Sequence, residues 1–475
     1  MKKLLTVVLT AFVSTSASAA GSYANELALV ENWLASQRAY DNVPGLSAAI
    51  VHDQELAWSG GFGLADIENV QAATADTIYG ICSISKLFTG VAVMQLRDEG
   101  KFALDDPLGD LLSWFNLEQA HDGSPEITLR AVLTHSAGLP RESDYPYWMG
   151  PDFNFPSSEK IQEKLGNQST LYPADRYYQY SNLGLSLAGE VVAEQSGQDY
   201  DGYVRDHILK PLDMNDTDTG FPSDAREPRV ATGYSYPGRD QTLRVMPRYE
   251  TRGITPAAGF ASTALDLGKF ASWQFRLLEG DSDGVLQANT LREMQRVQWL
   301  DWDWGTARGL AFGVYRVGGR TLTGHAGDCP GFNTRLFLDP LSKVAVAVMA
   351  NRNRVDVDGY AGAIFDILDG GGTVEDKAQV DNLDDFTGSY DLSPWDGEEM
   401  VFRWKNSLAV VSVPTMSPMD SMTELKHIEG DRFHTIRGDD GQPGHEVHFI
   451  RGDDGKVTHM NVHSLDLPRL SAPRY

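Results

Sequence analysis

The amino-acid sequence predicts an α/β sandwich domain followed by a smaller antiparallel β domain. Apolar strand patterns occur near the start of the chain and again between about residues 310 and 350, with helical patterns between them. A glycine-rich polar stretch then separates this region from short alternating strands that continue towards the C-terminus. The 475 residues also exceed one ordinary domain core, so more than one domain is expected.

The first residues have the three-part pattern of a secretory signal peptide. Lys2 and Lys3 precede an apolar run over residues 4–13, and small residues follow as far as Ala19 and Ala20. About ten apolar residues are too few to span a bilayer, and no later segment is longer and equally apolar. We therefore expect residues 1–20 to be a cleaved signal peptide. The mature protein should then be periplasmic or secreted, without a membrane span.

Residues 21–368 are expected to form the first domain. A helix that is apolar on most sides is predicted from Ser83 to Glu99, and a second from Asn182 to Gln195. Strands are predicted at 46–51, 55–58, 312–317, 321–324, 334–338 and 344–349, and a helix follows at about 360–368. Because strands open and close this region, one sheet should combine both of its ends.

A linker is predicted over residues 369–380, and the second domain over residues 381–475. The linker begins with a run of glycines and continues as a polar stretch. Strands are predicted beyond it at 400–404, 408–413, 445–450 and 457–462. The last two flank Asp454 and Gly455, a pair typical of a tight hairpin turn.

The overall charge and the cysteine content exclude several classes of function. With 66 acidic and 40 basic residues, the formal net charge is -26, which disfavours a nucleic-acid partner. The two cysteines, Cys82 and Cys329, are too few for a disulfide framework. The sequence has no zinc-ligand spacing and no phosphate-binding glycine loop, and the histidines after residue 426 match no ligand motif. We therefore expect no metal and no cofactor.

Three short motifs are typical of serine hydrolases, but each also occurs by chance in this chain. Ser-x-x-Lys occurs at Ser83 and at Ser157, Tyr-x-Asn at Tyr23, Tyr40 and Tyr180, and His-x-Gly at His121 and His325. Context separates these copies. Ser157 and Lys160 lie in a polar stretch without an apolar helix pattern, Tyr23 adjoins the export signal, Tyr40 precedes the first strand, and His121 lies in a turn.

The remaining copies lie where catalysis could use them. Ser83 and Lys86 open a buried helix on one shared face, at an end whose free N–H groups attract negative charge. A buried lysine can lose its proton and act as a base, because burial disfavours its charged form. Tyr180 lies on a loop, where a phenol can relay a proton. His325 continues a strand whose edge could bind a substrate.

The order of Ser83-x-x-Lys86, Tyr180-x-Asn182 and His325-x-Gly327 resembles the serine β-lactamase and penicillin-binding-protein superfamily. The class C β-lactamase-like branch, with its S12-type peptidases, is the most similar. The resemblance spans about residues 30–365 and includes flanking blocks at 77–80, 104–107, 133–140, 256–263 and 324–332. It implies an antiparallel sheet flanked by helices with a helical subdomain. Residues 386–390 resemble the start of an appended lipocalin-like, β-barrel-like domain.

The resemblance implies a role for each matching residue. Ser83 would form the acyl-enzyme, and Lys86 and Tyr180 would share the base and acid duties, with the primary base left open. Asn182 would bind the substrate amide. His325 and Gly327 would lie on the substrate-binding strand, and the backbone N–H groups of Ser83 and Asp328 would form the oxyanion hole. His135 and Ser136 are expected to pack rather than react, and Trp302 and Trp304 to line the cleft or pack.

The sequence departs from the family pattern at two places near the expected site. His325 replaces a lysine that is common in relatives, and histidine is mostly neutral at pH 7, which weakens the case for binding a β-lactam carboxylate. Cys82 and Cys329 flank the expected site, either as a disulfide or as two buried thiols.

The sequence therefore predicts an exported serine hydrolase that cleaves amide bonds of small peptides or peptidoglycan-like substrates. A D-stereospecific peptidase or carboxypeptidase fits this description. An esterase or a β-lactamase with the same residues is the first alternative, so the substrate is a small peptide, an ester or a β-lactam. A non-catalytic penicillin- or peptide-binding protein is the second. The oligomeric state and the role of the C-terminal domain stay open.

Overall fold

The computed structural model describes residues 23–144, 146–280, 284–370 and 382–470. The predicted signal peptide lies outside the described residues, and so does the predicted linker, apart from its first two residues. Those two residues, 369 and 370, belong to a helix. Among the described residues, no helix combines the length and the apolar character needed to cross a membrane.

Most of the described helices lie between the early and the late strands of the main sheet, as predicted. Within the described residues the α-helices are α1 (Ala24–Tyr40), α2 (Ser85–Asp98), α3 (Leu108–Leu111), α4 (Leu129–Leu133), α5 (Ser158–Leu165), α6 (Asn182–Ser196), α7 (Tyr200–Val204), α8 (Thr255–Ala258), α9 (Ala264–Glu279), α10 (Ala288–Gln295), α11 (Val357–Gly370) and α12 (Pro418–Ser421). A 3-10 turn over Cys82–Ile84 leads into α2.

The strands fall into two sheets and one short pair. Those of the first region are β1 (Gly45–His52), β2 (Glu55–Asp66), β3 (Gln71–Ala72), β4 (Tyr79–Gly80), β5 (Ala261–Ser262), β6 (Trp299–Leu300), β7 (Ala307–Arg308), β8 (Gly313–Val317), β9 (Arg320–Cys329), β10 (Phe332–Asp339) and β11 (Val344–Ala350). Those of the second are β12 (Gly388–Asp391), β13 (Glu398–Trp404), β14 (Ser407–Val413), β15 (Thr423–Glu429), β16 (Arg432–Ile436), β17 (Pro443–Arg451), β18 (Val457–Val462) and β19 (Leu465–Pro468).

The main sheet joins the two ends of the first region, which confirms the predicted α/β fold. Its order is β3-β2-β1-β11-β10-β9-β8-β7-β6, and β1 pairs with β11 in antiparallel register, with Ala48 opposite Val348. All seven residues of β11 are buried, as expected of a strand covered on both faces. Helix α9 packs against β1, β2 and β11.

Two helices carry the residues of the expected site, and both lie close to their predicted positions. Every residue of α2 from Ser85 to Leu96 is buried, including Lys86, which confirms a buried helix. Helix α6 begins after its cap Ser181 and ends at Gly197, whose φ of 72° is the left-handed conformation that favours glycine. Helix α2 packs against α6 and α8.

Two local predictions need correction. The α-helix begins at Ser85 rather than at Ser83, because Cys82 has a φ of 52° and the chain enters the helix through a 3-10 turn. The polar stretch after Ser157 does contain a helix. Ser157 caps α5 by accepting a hydrogen bond from the Lys160 N–H, and Ile161 and Leu165 supply a narrow buried stripe.

The C-terminal strands form a nearly closed antiparallel sheet of barrel-like shape, as the resemblance implied. They follow one another in chain order from β12 to β19, and a bridge between Tyr390 and Arg469 brings the last part of the sheet back to the first strand. Aromatic side chains, including those of Phe386, Phe433 and Phe449, fill its core. The turn between β17 and β18 contains Gly455 with a φ of 78°, which agrees with the predicted hairpin.

The described residues form two compact units, residues 45–357 and residues 23–44 together with 358–470. The second unit therefore contains helix α1 and most of α11 as well as the C-terminal sheet. Within it, the Trp33 indole donates a 2.8 Å hydrogen bond to the Thr415 carbonyl oxygen, and its ring lies 5.4 Å from that of Tyr360. The predicted domain boundaries at 368 and 381 stay a prediction, since compact units need not follow chain order.

Candidate active site

Ser83 lies in the 3-10 turn between β4 and α2, and neighbouring backbone groups fix this turn. The Ile81 N–H donates a 2.8 Å hydrogen bond to the Phe260 carbonyl oxygen. The Thr334 hydroxyl on β10 donates to the Ile81 carbonyl oxygen over 3.2 Å. The Ser83 side chain is half-buried, so the fold presents it at the edge of the core rather than inside it.

The three side chains predicted to be catalytic meet at one oxygen atom. Lys86 Nζ lies 3.1 Å from Ser83 Oγ, and the Tyr180 hydroxyl lies 2.9 Å from the same oxygen. Lys86 reaches it from the next turn of the same helical segment, whereas Tyr180 approaches from the loop before α6. The convergence of residues 97 positions apart in sequence is a property of the fold, not of either motif.

Lys86 is fully buried, and its surroundings favour the neutral form of its amine. Burial holds the pKa of its amine well below the usual value; the carboxylate of Glu142 opposes this shift, and the charges of Arg141 and Arg308 add to it. Besides Ser83, Nζ contacts Asn182 Oδ1 at 2.8 Å and the Ala257 carbonyl oxygen at 2.7 Å. A neutral amine has two N–H groups for these two acceptors and a lone pair left for Ser83.

Tyr180 is held as a neutral phenol. Burial raises the pKa of its hydroxyl, while the hydrogen bond to Ser83 partly opposes that effect. The Arg141 guanidinium lies over its ring, 4.9 Å from the ring centroid, and Lys86 Nζ lies 4.7 Å from the same point. At neutral pH the phenol therefore carries its proton and can donate it.

Asn182, the first residue of α6, has its side-chain amide fixed from two directions. Its oxygen accepts from Lys86, and its nitrogen donates a 2.6 Å hydrogen bond to Glu142 Oε1. The other oxygen of Glu142 accepts from the Tyr147 hydroxyl. Because one amide N–H is still available, Asn182 can also bind a substrate carbonyl without turning.

His325, Gly327 and Asp328 follow one another at the end of β9. Among the described strands, β8 pairs with β9 only as far as Gly324, so the backbone beyond that residue is open on one side. A Cβ atom at Gly327 would clash with the Ile81 carbonyl oxygen, so only glycine allows this strand to approach the turn that carries Ser83. Asp328 is exposed and accepts a 3.2 Å hydrogen bond from Asn353.

His325 is a neutral residue in this site. Burial, followed by the charge of Lys86, holds the pKa of its imidazole well below the usual value. Its ring lies 6.2 Å from the Tyr180 ring. His325 therefore offers no fixed positive charge, which agrees with the expectation from the sequence.

Cys82 and Cys329 form a disulfide, with their Cα atoms 5.6 Å apart. The sequence did not decide between a disulfide and two free thiols, and the structure contains the disulfide. It links the residue before Ser83 to the residue after Asp328. The two backbone segments expected to form the oxyanion hole are therefore covalently joined.

No sequence motif pointed to Arg308 or Glu142, two charged residues of the site. Arg308 on β7 donates a 2.7 Å hydrogen bond to the Tyr178 hydroxyl and lies 4.8 Å from the centroid of that ring. Its charge lowers the pKa of Lys86 and of His325. Glu142 follows the matched block at 133–140, but only the contact with Asn182 reveals its part in the site.

Several predicted alternatives lie apart from these contacts. Ser157 is a helix cap, and Lys160 pairs with Glu163 on an exposed surface. Trp302 and Trp304 are 88% and 79% exposed, so neither is a packing residue.

A cavity of about 1060 Å³ adjoins the turn, large enough for a small peptide. Its lining includes Gly80, Phe260 and Cys329 but not Ser83 itself. Phe221 and Tyr249 add aromatic surface to the wall. Ser83 therefore lies beside the cavity rather than at its floor.

Comparisons with known proteins show the family of this chain. A family model described as "Beta-lactamase" matches residues 30–369. "Beta-lactamase-like protein 2" of Dictyostelium discoideum is 28% identical over 305 residues, which are 63% of this chain and 54% of that protein. The chain thus spans just over half the length of this curated relative.

Solved structures share the fold over most of the chain. The octameric penicillin-binding protein homologue from Pyrococcus abyssi has a TM-score of 0.64 at 24% identity, covering 93% of this chain and 99% of that one. A β-lactamase/D-alanine carboxypeptidase from Pseudomonas syringae has a TM-score of 0.61 at 17% identity, covering 73% and 99%. Because the family model covers well over half of the sequence, the chain belongs to the beta-lactamase family of serine-hydrolase-like proteins.

Proposed function

We propose that this protein is an exported serine hydrolase that cleaves amide bonds of small peptides or peptidoglycan-like fragments through an acyl-enzyme. The observation that carries the proposal is the meeting of Lys86 and Tyr180 at Ser83 Oγ, at 3.1 Å and 2.9 Å. A protein that only binds its ligand has no use for a neutral amine beside a serine. A D-stereospecific peptidase or carboxypeptidase is the type that we favour.

In the first step Lys86 acts as the general base. Its neutral amine takes the proton from Ser83 Oγ while that oxygen bonds to the substrate carbonyl carbon. The carbonyl oxygen gains negative charge, which the backbone N–H groups of Ser83 and Asp328 would stabilise. The pKa directions favour Lys86 over Tyr180 as the base, since burial keeps the lysine neutral and the phenol protonated.

In the second step Tyr180 acts as the general acid. Its hydroxyl gives a proton to the leaving nitrogen as the carbon–nitrogen bond breaks, and the Lys86 ammonium returns a proton to the phenolate. Ser83 then holds the acyl group, and water enters by the reverse of these proton transfers. Lys86 Nζ and the Tyr180 hydroxyl lie 3.1 Å and 2.9 Å from the same atom, Ser83 Oγ, so the proton has a short way to move.

The substrate class follows from β9 and His325. The open edge of β9 suits an extended peptide backbone, which can pair with it as an added strand. The neutral His325 provides less attraction for a β-lactam carboxylate than a lysine would.

Export is part of the proposal and has two supports. The first twenty residues have the pattern of a secretory signal. The disulfide suits an oxidising compartment, because cytosolic reductants would keep these thiols reduced.

The decisive test combines a nucleophile variant with a substrate panel. Wild type, Ser83→Ala and the matched control Ser157→Ala should be treated with a fluorophosphonate and weighed as intact proteins. We expect one adduct on wild type and on Ser157→Ala, and none on Ser83→Ala. No adduct on the folded wild type would favour the non-catalytic binding protein.

The panel should contain D-amino-acid amides, short D-peptides, p-nitrophenyl esters and a chromogenic cephalosporin. Peptide or amide cleavage supports the proposal. Rapid cephalosporin turnover without peptide cleavage would make the protein a β-lactamase, and ester cleavage alone would make it an esterase.

A further inference from the structure

His135 occupies an unusual backbone position in the turn after α4. Its φ is 60°, in the left-handed region that non-glycine residues seldom adopt, and its side chain is 3% exposed. The end of α4 explains this conformation, since a left-handed residue commonly follows the last residue of a helix. The His135 N–H donates to the Val132 carbonyl oxygen there. The proposed reaction gives His135 no part, so its contacts call for a separate explanation.

Those contacts surround Tyr180. The N–H of Gln179 donates a 2.7 Å hydrogen bond to the His135 carbonyl oxygen. The N–H of Ser181 donates a 3.2 Å hydrogen bond to His135 Nδ1. Between these two anchors, the His135 ring lies on the Tyr180 ring, with centroids 4.4 Å apart and planes at 34°. One residue therefore holds both backbone neighbours of Tyr180 and the ring itself.

The protonation state of His135 fits this arrangement. Burial holds the pKa of the imidazole well below its usual value, and the nearby positive charges of Lys86 and Arg308 act in the same direction. A neutral ring can accept the Ser181 N–H at Nδ1 only when its proton is on the other nitrogen. Nδ1 is thus committed to a backbone bond, which excludes this atom as a general base for Ser83.

We propose that His135 is a positioning residue that holds the Tyr180 hydroxyl at Ser83 Oγ and thereby controls protonation of the leaving group. This inference rests on the proposed hydrolase function. It goes beyond packing, because a residue that only packs would not need a side-chain bond to the Ser181 N–H beside its contact with the Tyr180 ring.

Two variants separate the components of the contact. His135→Asn tolerates a positive φ and keeps an acceptor near the position of Nδ1, but it removes the ring. His135→Phe keeps a ring and removes the acceptor. Ser136→Ala is the matched control, because Ser136 lies in the same turn and bonds to Thr134 and Asp175.

The readout is the dependence on the leaving group. A D-amino-acid amide needs a proton on its leaving nitrogen, whereas p-nitrophenolate leaves without one. For His135→Phe we expect kcat on the amide to fall about 100-fold, with KM nearly unchanged and the ester rate reduced only a few-fold. Relative to His135→Phe, His135→Asn should recover part of the amide rate. Ser136→Ala should reduce the amide and ester rates equally or leave both unchanged. Thermal unfolding confirms that each variant is folded.

The outcomes distinguish the two levels of the proposal. A selective loss on the amide that His135→Asn partly restores supports the positioning role. Equal losses on both substrates, or no loss in either His135 variant, would overturn it while leaving the hydrolase proposal in place. If His135→Phe does not fold, His135→Asn alone decides, since a loss of the ring should still slow the amide more than the ester. Failure of wild type to cleave any amide or ester would reject the hydrolase function itself.

Discussion

At the scale of single residues, the burial of Lys86 and the charges around it decide whether its amine can serve as a base. Burial is the main cause of its lowered pKa, and three charges modify it: Glu142 raises the pKa, whereas Arg141 and Arg308 lower it. Arg308 disfavours a second positive charge nearby, and Glu142 favours it. Neither residue lies in a recognised motif, so the tuning of the base depends on the fold.

Two variants that each remove one charge test how Arg308 and Glu142 change the pKa of Lys86. Activity needs neutral Lys86, so kcat/KM should fall as the pH drops through the pKa of Lys86. Arg308→Gln removes a charge that lowers this pKa, so the acidic limb of the profile should move to higher pH. Glu142→Gln removes a charge that raises it and should move the limb to lower pH, while its amide oxygen can still accept from Asn182.

The measurement is the pH dependence of kcat/KM with an uncharged ester. Arg292→Gln, at an exposed position of α10, controls for the loss of any arginine. Shifts of Arg308→Gln and Glu142→Gln in the same direction would contradict the assignment of Lys86 as the base.

Gly327 gives a second prediction at this scale. A methyl group there would meet the Ile81 carbonyl oxygen, a backbone atom that cannot rotate away. Gly327→Ala should therefore push β9 from the Ser83 turn, lower the free energy of unfolding by about 1–3 kcal/mol and reduce kcat/KM at least about tenfold. Gly438→Ala is the matched control, since nothing lies within 4 Å of its added Cβ. Urea unfolding and steady-state kinetics measure both effects, and similar behaviour of the two variants would contradict the packing argument.

At the scale of elements, sequence patterns predicted α2, α6 and α11 and the longer strands of both sheets. They did not predict the long helices α1 and α9, nor the 3-10 entrance to α2. The apolar run after Lys86 and the alternation in β8 to β11 are local signals, so they were visible in the sequence. The 3-10 turn at Ser83 depends on the bond that the Ile81 N–H donates to the Phe260 carbonyl oxygen and on the bond that Thr334 donates to the Ile81 carbonyl oxygen. Phe260 and Thr334 are far from this turn in the chain. Arg308 and Glu142 were missed for the same reason, because tertiary contacts alone give them a role.

The cap of α6 provides a prediction about one element. Ser181 Oγ accepts a 2.8 Å hydrogen bond from the Gly184 N–H and donates a 2.6 Å bond to the Pro140 carbonyl oxygen. Ser181→Ala removes both in a buried setting, so the free energy of unfolding should fall by about 1.5–3 kcal/mol. Ser157→Ala, which removes only the cap bond of the more exposed α5, should cost about 0.5–1 kcal/mol. Equal losses in chemical denaturation would show that the Pro140 bond contributes nothing.

At the scale of the whole molecule, the sequence predicted a C-terminal antiparallel sheet after the α/β region, but it did not predict how the two ends of the chain group together. Helix α1 belongs to the same compact unit as the C-terminal sheet, and the bond from Trp33 to Thr415 crosses 382 positions. No periodicity or composition in either segment reports such a pairing. The disulfide is a similar case, because the sequence could place both cysteines near the site without deciding whether they bond.

The disulfide joins residues 247 positions apart, so its largest effect should be on the unfolded chain. Cross-linking so long a loop reduces the freedom of the unfolded state, and loss of the bond should cost about 3–5 kcal/mol of stability. The melting temperature should therefore fall on reduction, and kcat/KM should fall with it, because the Ser83 turn and the end of β9 are no longer tied. The double variant Cys82→Ala/Cys329→Ala should resemble the reduced protein and be indifferent to reductant. A reduced protein with unchanged activity would show that hydrogen bonds and packing alone hold the two segments in place, and that the disulfide stabilises the fold without shaping the site.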